Sequence, residues 1–163
     1  MTDTAALVAQ LAARVQHLED TLAVTELLTA YGPAVDSGSA EAAARLWIED
    51  GVYDVDTGIM RGHAEILAMV RSAPHQRLIR AGCAHILEPG HIRIDGETAV
   101  ATNKSQLIAG GPDGFRVLRI TANRWELVRV DGGWKVARRT SRLLDGRAEA
   151  RDLLARGVGP AQW

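Results

Sequence analysis

TAVATNKSQLI (residues 98–108), FRVLRITANRWELVRV (115–130) and WKVARRTSRL (134–143) decide the fold of this chain. Each run has a hydrophobic period near two, the repeat of a strand with one face buried. The separators GGPDG (110–114) and DGG (131–133) carry the residues that tight turns require. Three such runs joined by hairpin-length turns form an antiparallel sheet. Ala99, Ala101, Asn103, Ser105 and Leu107 share one face of their strand, and Arg119, Thr121, Asn123, Trp125 and Leu127 one face of theirs. Small and amide side chains between apolar ones suit the wall of a small-molecule pocket.

Upstream, Ala81–Leu87 reads as a strand broken by Glu88-Pro89-Gly90 and continued by Ile92 and Ile94, with Asp95-Gly96 as a hairpin signal. The first half of the chain has a helical period instead. Leu7, Leu11, Val15, Leu18, Leu22 and Leu27–Leu28 predict a helix over 4–34, capped by Asp3 or Thr4. Its first part, 1–22, is longer than a small core needs and reads as a helical arm for subunit contact. Gly32-Pro33 interrupts the pattern. Ser39 then caps a helix Ala40–Ile48, ended by Glu49-Asp50-Gly51. Val52–Val55 and Ile59–Arg61 pair around Asp56-Thr57-Gly58, and a third helix, His63–Ser72, is closed by Pro74. Asp145-Gly146 precedes a C-terminal helix that starts at Arg147, periodic to Arg156 and spanning 147–157. Helices followed by antiparallel strands predict an α+β fold, one domain over 1–163, in which N-terminal helices cover the concave face of a strongly curled sheet around a cavity.

Composition excludes several function classes. The chain has 163 residues, 47% hydrophobic and 24% charged, with a formal net charge of -1, an ordinary globular composition. No basic stripe offers a phosphate-backbone footprint, so nucleic acid is not an expected partner. Arg138, Arg139, Arg142, Arg147, Arg151 and Arg156 alternate with Asp145, Glu149 and Asp152 and read as a solvated, salt-bridged helix face. No apolar run reaches the length of a membrane span, and the N-terminus lacks the features of a signal peptide. The single cysteine, Cys83, cannot form an intrachain disulfide and reads as a small core residue. A cytoplasmic location is expected.

Asp36, in YGPAVDSG (31–38), and His85, in CAHIL (83–87), are the candidate catalytic pair. A carboxylate can fix the tautomer of an imidazole that takes or gives a proton. Candidate substrate-binding residues are Tyr31, Tyr53, Asn103, Arg119, Asn123 and Trp125. Arg119 and Arg139 are each placed to hold an anionic group or to balance Asp36. His63, His75 and His91 lack metal-ligand spacing, and no Gly-rich phosphate loop occurs, so neither a metal nor a cofactor is expected.

LLTAY (27–31) running to VDSG (35–38), LWIEDGVY (46–53), HIL (85–87), IRIDGETA (92–99) and VDGGWKV (130–136) together resemble the SnoaL-like branch of the nuclear transport factor 2-like superfamily. The resemblance covers about residues 20–145 and implies the cone-shaped, cystatin-like α+β barrel. Within the superfamily the pattern is similar to scytalone dehydratase and hexachlorocyclohexane dehydrochlorinase, which use an Asp–His dyad for proton abstraction. Asp36 and His85 match that dyad, and Asn123 in TAN (121–123) matches a substrate-oxygen ligand. Val35 and Val55 stand where scytalone dehydratase has tyrosines around an activating water, and a second pocket histidine has no counterpart. The resemblance implies a lyase without cofactor, of dehydratase or dehydrohalogenase type, acting on a small, mostly apolar molecule. An isomerase or polyketide-cyclase-like enzyme using the same dyad, and a non-catalytic ligand- or protein-binding module, stay open. It also implies a homo-oligomer, a trimer ahead of a dimer.

Overall fold

Helix α1 (Thr4–Asp36) runs the length of the molecule, and the rest of the chain is arranged around its C-terminal half. The computed structural model describes residues 3–158. After α1 come α2 (Ala40–Ala44), β1 (Trp47–Val55), β2 (Gly58–Arg61), α3 (Gly62–Arg71), α4 (Ala73–Ala81), β3 (Cys83–Leu87), β4 (His91–Asp95), β5 (Thr98–Gly111), β6 (Gly114–Val130), β7 (Gly133–Leu143) and α5 (Ala148–Val158). The α+β class is as expected. The strands form one sheet in the order β2-β1-β7-β6-β5-β3, and β4 pairs with β5 along the same edge as β3. The sheet is not wholly antiparallel, because β1 joins β7 in parallel.

The inward faces of β5 and β6 are the predicted ones. Ala99, Ala101, Asn103, Ser105, Thr121, Asn123, Trp125 and Leu127 are all buried. Val24, Leu28, Tyr31 and Val35 of α1 pack with Trp47, Ile66, Val70 and Val136 into the core over that concave face. Each fully buried Val or Leu side chain there contributes about 1.5–3 kcal/mol. On the opposite face α5 covers Ala122 with Ala150 and Leu153.

Four local expectations change. α1 does not stop at Gly32-Pro33; it continues to Asp36. Pro33 removes one N–H, and the carbonyl it would have met belongs to the exposed Thr29, so no buried acceptor is left unpaired. α2 ends at Ala44, and Trp47–Gly51 belong to β1, recruited by pairing of Trp47 with Val136. α4 was not anticipated because Pro74 reads as a stop after α3; it lies instead in the first turn of α4, capped by the Ser72 side chain, which accepts from the His75 N–H. β3 and β4 are separate strands, paired end to end with β5. No helix among the described residues is long and apolar enough to cross a membrane.

Candidate active site

Asp36 is the last residue of α1, where exposed carbonyls make a carboxylate unwelcome. It is held there by strand β3. Oδ2 accepts from the His85 backbone N–H at 2.7 Å, and Oδ1 lies 2.5 Å from His85 Nδ1. The Cys83 thiol donates to Oδ1 at 3.5 Å. The backbone closes the helix end: the Ser37 N–H donates to the Pro33 carbonyl and the Gly38 N–H to that of Val35. The approach of α1 to β3 is possible because residue 32 is glycine: a Cβ there would lie 2.4 Å from the His85 carbonyl oxygen.

Burial alone would push the Asp36 carboxyl up, but the side-chain and backbone hydrogen bonds from His85 outweigh it and hold the group below its ordinary value. Asp36 is therefore an anion at neutral pH, and an anion can only accept. It follows that Nδ1 carries a hydrogen, and that in the neutral ring Nε2 presents the lone pair. The imidazole is fixed on two further sides. His75 stacks on it with ring centroids 5.9 Å apart, and Tyr31 meets it edge-on at 6.1 Å. His75 is itself anchored by Nε2 on the Val35 carbonyl at 2.8 Å.

His85 opens onto a small pocket of about 50 Å³ lined also by Tyr53, Ser105, Leu107, Arg119, Thr121, Arg139 and Ser141. Arg139 is its most unusual residue. Only 2% of it is exposed, yet no carboxylate among the described residues pairs with it. Nη2 donates to Asn123 Oδ1 at 2.9 Å, and Nε and Nη1 have no partner. The guanidinium lies against Trp125, Tyr31 and Tyr53, 4.1, 4.3 and 4.7 Å from the ring centroids. Cation–π attraction offsets part of the cost of burying the charge, which is several kcal/mol for an isolated ion.

The predicted residues fall into two groups. His85, Tyr53 and Arg119 line the pocket with Asp36 directly behind the imidazole. Arg119 also pairs with Asp56 on the β1–β2 turn. The other four stand behind the wall. Asn123 is wholly buried and its amide is fully engaged: Oδ1 accepts from Arg139 and Ser141, and Nδ2 donates to Ser105. Asn103 spans from Trp125 Nε1 to the Glu88 carbonyl. The Asn123 amide has no group free for a substrate oxygen, Asn103 is bonded at both its amide oxygen and its amide nitrogen, and both fix neighbours. Trp125 and Tyr31 are rings of the cage around Arg139. Burial, then the neighbouring Tyr53, push the Tyr31 hydroxyl far above its ordinary value, so it stays neutral.

Arg139 was grouped in sequence with a solvated helix face, and that reading is corrected. Arg138, Arg139 and Arg142 lie on β7; Arg138 and Arg142 pair with Asp54, while Arg139 turns inward. Alternation from Trp134 and Val136 would point Arg138 inward. A bulge reverses this: Leu127 pairs with Val136 but Glu126 with Arg138, so Ala137 is an extra residue and the inward set becomes Arg139 and Ser141. The signal available in sequence was a basic residue followed two positions later by serine in a strand facing Asn123.

Asp36, Cys83 and His85 place three donor atoms within 4.8 Å of one another, a geometry that a metal ion can use. Without an ion the three groups hydrogen-bond to one another, and burial and the adjacent Asp36 charge push the Cys83 thiol up to about 11.

A strongly curved sheet covered by helices on its concave face is the architecture of nuclear transport factor 2-like proteins with a cystatin-like fold. The SnoaL-like domain profile matches residues 16–140, and the chain belongs to that family. An NTF2-like protein with a cystatin-like fold from Novosphingobium aromaticivorans is 41% identical, with a TM-score of 0.88 over 94% of this chain and 98% of that one. A candidate aromatic ring hydroxylase from the same organism is 27% identical, with a TM-score of 0.65 over 78% and 90% of the two chains. A candidate scytalone dehydratase, also from N. aromaticivorans, is 19% identical, with a TM-score of 0.67 over 78% and 85%, and shares the fold. No curated protein sequence matches the chain.

Proposed function

We propose that the chain is a cofactor-independent lyase that eliminates water or halide from a small molecule activated by a carbonyl or similar group. The observation that carries this reading is the 2.5 Å contact between Asp36 and His85 Nδ1, which leaves Nε2 as a base beside open volume. Nε2 takes the proton from the carbon next to the activating group. The electron pair moves onto the activating oxygen as an enolate, then returns to form the C=C bond as the leaving group departs from the neighbouring carbon. Halide leaves as the anion; hydroxide takes the proton back from the imidazolium and leaves as water. Asp36 stabilises the imidazolium in between.

General-base catalysis supplies about 10²–10⁴-fold, so the developing oxyanion needs its own stabilisation. Arg139, a fixed cation in a dry aromatic cage on the pocket wall, provides the charge, with the Tyr53 hydroxyl as a nearby donor. The enclosed volume beside His85 is about 50 Å³, well below the few hundred Å³ of typical ligand sites, which favours a small substrate over the polycyclic substrates of a cyclase.

The test is turnover of a panel of small β-hydroxy and β-halo carbonyl compounds, followed by appearance of the conjugated product. His85→Ala should lower kcat/KM by roughly 10² or more, because the base is gone. Asp36→Asn keeps the base and should cost less. Turnover that survives both substitutions would remove the dyad from the mechanism.

A further inference from the structure

Every residue from Asp3 to Glu19 is exposed, and contact between α1 and its own domain begins at Asp20 and Val24. A solitary helix of that length is marginal in water. It nevertheless carries Val8, Leu11, Val15, Leu18 and Leu22, exposed by 60, 48, 52, 66 and 59%. Their spacing is three, four, three, four, the heptad period, with Val8, Val15 and Leu22 at a and Leu11 and Leu18 at d. At about 100° per residue, the five fall within about 40° of one line along the helix. Val24, Leu28, Tyr31 and Val35, which pack on the domain, fall around a line about 200° away. The seam therefore faces away from its own domain, and a second helix laid on it leaves both domains on the outside.

We propose that this seam joins two copies of the chain as a parallel two-stranded coiled coil. β-Branched valine at a with leucine at d favours two parallel strands over the trimer that the family resemblance implied. The flanking charges agree. Arg14 is at g and Glu19 at the following e. In a parallel, in-register pair Arg14 faces Glu19 of the partner subunit, and the contact occurs twice by symmetry. An antiparallel pair sets g against g and e against e, which opposes like charges.

The experiment uses the full chain at tens of micromolar in sedimentation equilibrium. The expected mass is about 35 kDa, twice 17.6 kDa. Leu11→Asp with Leu18→Asp should give the monomer with an unchanged thermal midpoint, since neither residue touches the domain. Arg14→Glu should raise the dimer dissociation constant several-fold, and adding Glu19→Arg should restore it. Val8→Cys should cross-link to its own copy under mild oxidation, because a pairs with a only in the parallel arrangement; antiparallel, the two thiols would lie roughly 20 Å apart. A monomeric or trimeric wild type would overturn the proposal. So would a dimer that survives Leu11→Asp with Leu18→Asp, which would move the interface to another surface such as the exposed Phe115, Leu118 and Ile120. A dimer in which Val8→Cys fails to cross-link would overturn its parallel orientation.

Discussion

Replacing Gly32 with alanine tests whether the contact between α1 and β3 sets the dyad. The added Cβ would lie 2.4 Å from the His85 carbonyl oxygen, 3.5 Å from its carbon and 3.7 Å from Leu87 Cδ1. The first neighbour is backbone, so no side chain can rotate away. Bringing the contact to a tolerable 3.0 Å requires a shift of at least 0.6 Å between helix and strand. Asp36 lies one helical turn beyond Gly32, and His85 is the residue struck. A shift of that size would take the Nδ1–Oδ1 contact from 2.5 Å to about 3.1 Å or more, near the end of the hydrogen-bond range. Misplacement approaching 1 Å costs about 10² in rate. The stability effect is smaller, because two terms oppose. Overpacking costs about 1–3 kcal/mol, and alanine gains about 1 kcal/mol over glycine within a helix. A net loss of about 0–2 kcal/mol lowers the thermal midpoint by up to about 8 °C. The assay is turnover together with the proton NMR resonance of His85 Nδ1–H, which lies far downfield in a short bond to a carboxylate. Gly133→Ala is the control, since its Cβ would meet nothing closer than 3.8 Å. Wild-type turnover and an unmoved Nδ1–H resonance in Gly32→Ala would refute the reasoning.

Arg139→Met should lower kcat/KM by about 10²–10³ as the oxyanion loses its cation, while the thermal midpoint stays within about 5 °C, because a buried charge without an acid partner contributes little stability; a midpoint drop above 10 °C with proportionate loss of active protein would make the residue structural instead. Gly157→Ala places a Cβ within 2.3–2.5 Å of the Thr102 side chain and should lower the midpoint by roughly 2–12 °C through loosening of α5, with kcat unchanged; differential scanning fluorimetry decides. The Asp36 carboxyl is lowered in the fold, so its stabilising effect is complete above its unfolded value near 3.9 and fades as pH falls through the lower folded value. The stability difference between wild type and Asp36→Asn, measured by urea unfolding from pH 7 to 3, should be flat down to about pH 4.5 and shrink below it; a difference that grows toward acid would contradict the assignment.

The strand half of the fold was legible because side-chain alternation, hairpin glycines and amide placement agree over 98–143. The inward faces of β5 and β6 follow that alternation to Leu127 without error. The dyad was legible through resemblance, as no local rule brings residue 36 to residue 85. Pro33 and Pro74 misled for one reason: proline has opposite meanings at different helix positions. Within α1 it removed a bond that an exposed carbonyl can do without, and at Ala73–Ala81 it marked a beginning. The substrate-binding roles expected of Asn103 and Asn123 presumed that an inward amide is a free amide. Each sits among more hydrogen-bonding neighbours than a sequence can display, and both amides are bonded to protein groups at oxygen and nitrogen.

Under the proposed mechanism such engaged groups hold Arg139 in place. The bulge at Ala137 turns a long, flexible cation inward, against three aromatic rings and Asn123. Flexibility there would be costly in rate, because a stabilising charge must already point at the oxyanion before it forms. Three rings fix the plane of the guanidinium, and Asn123 fixes one edge of it. Asn123 is in turn held by Ser141, two residues along β7, and by Ser105 across β5, which bonds to Thr121 at 2.8 Å. Disrupting the second layer should therefore mimic loss of the first in a graded way. Asn123→Asp would put a carboxylate beside Arg139 and neutralise it in place, and on this reasoning the folded protein would keep its pocket and lose the charge that its chemistry requires. Asn123→Ala would leave the charge but free its orientation, so its fall in kcat should be the smaller of the two. Equal activity in both variants would mean that the guanidinium takes no part in the reaction.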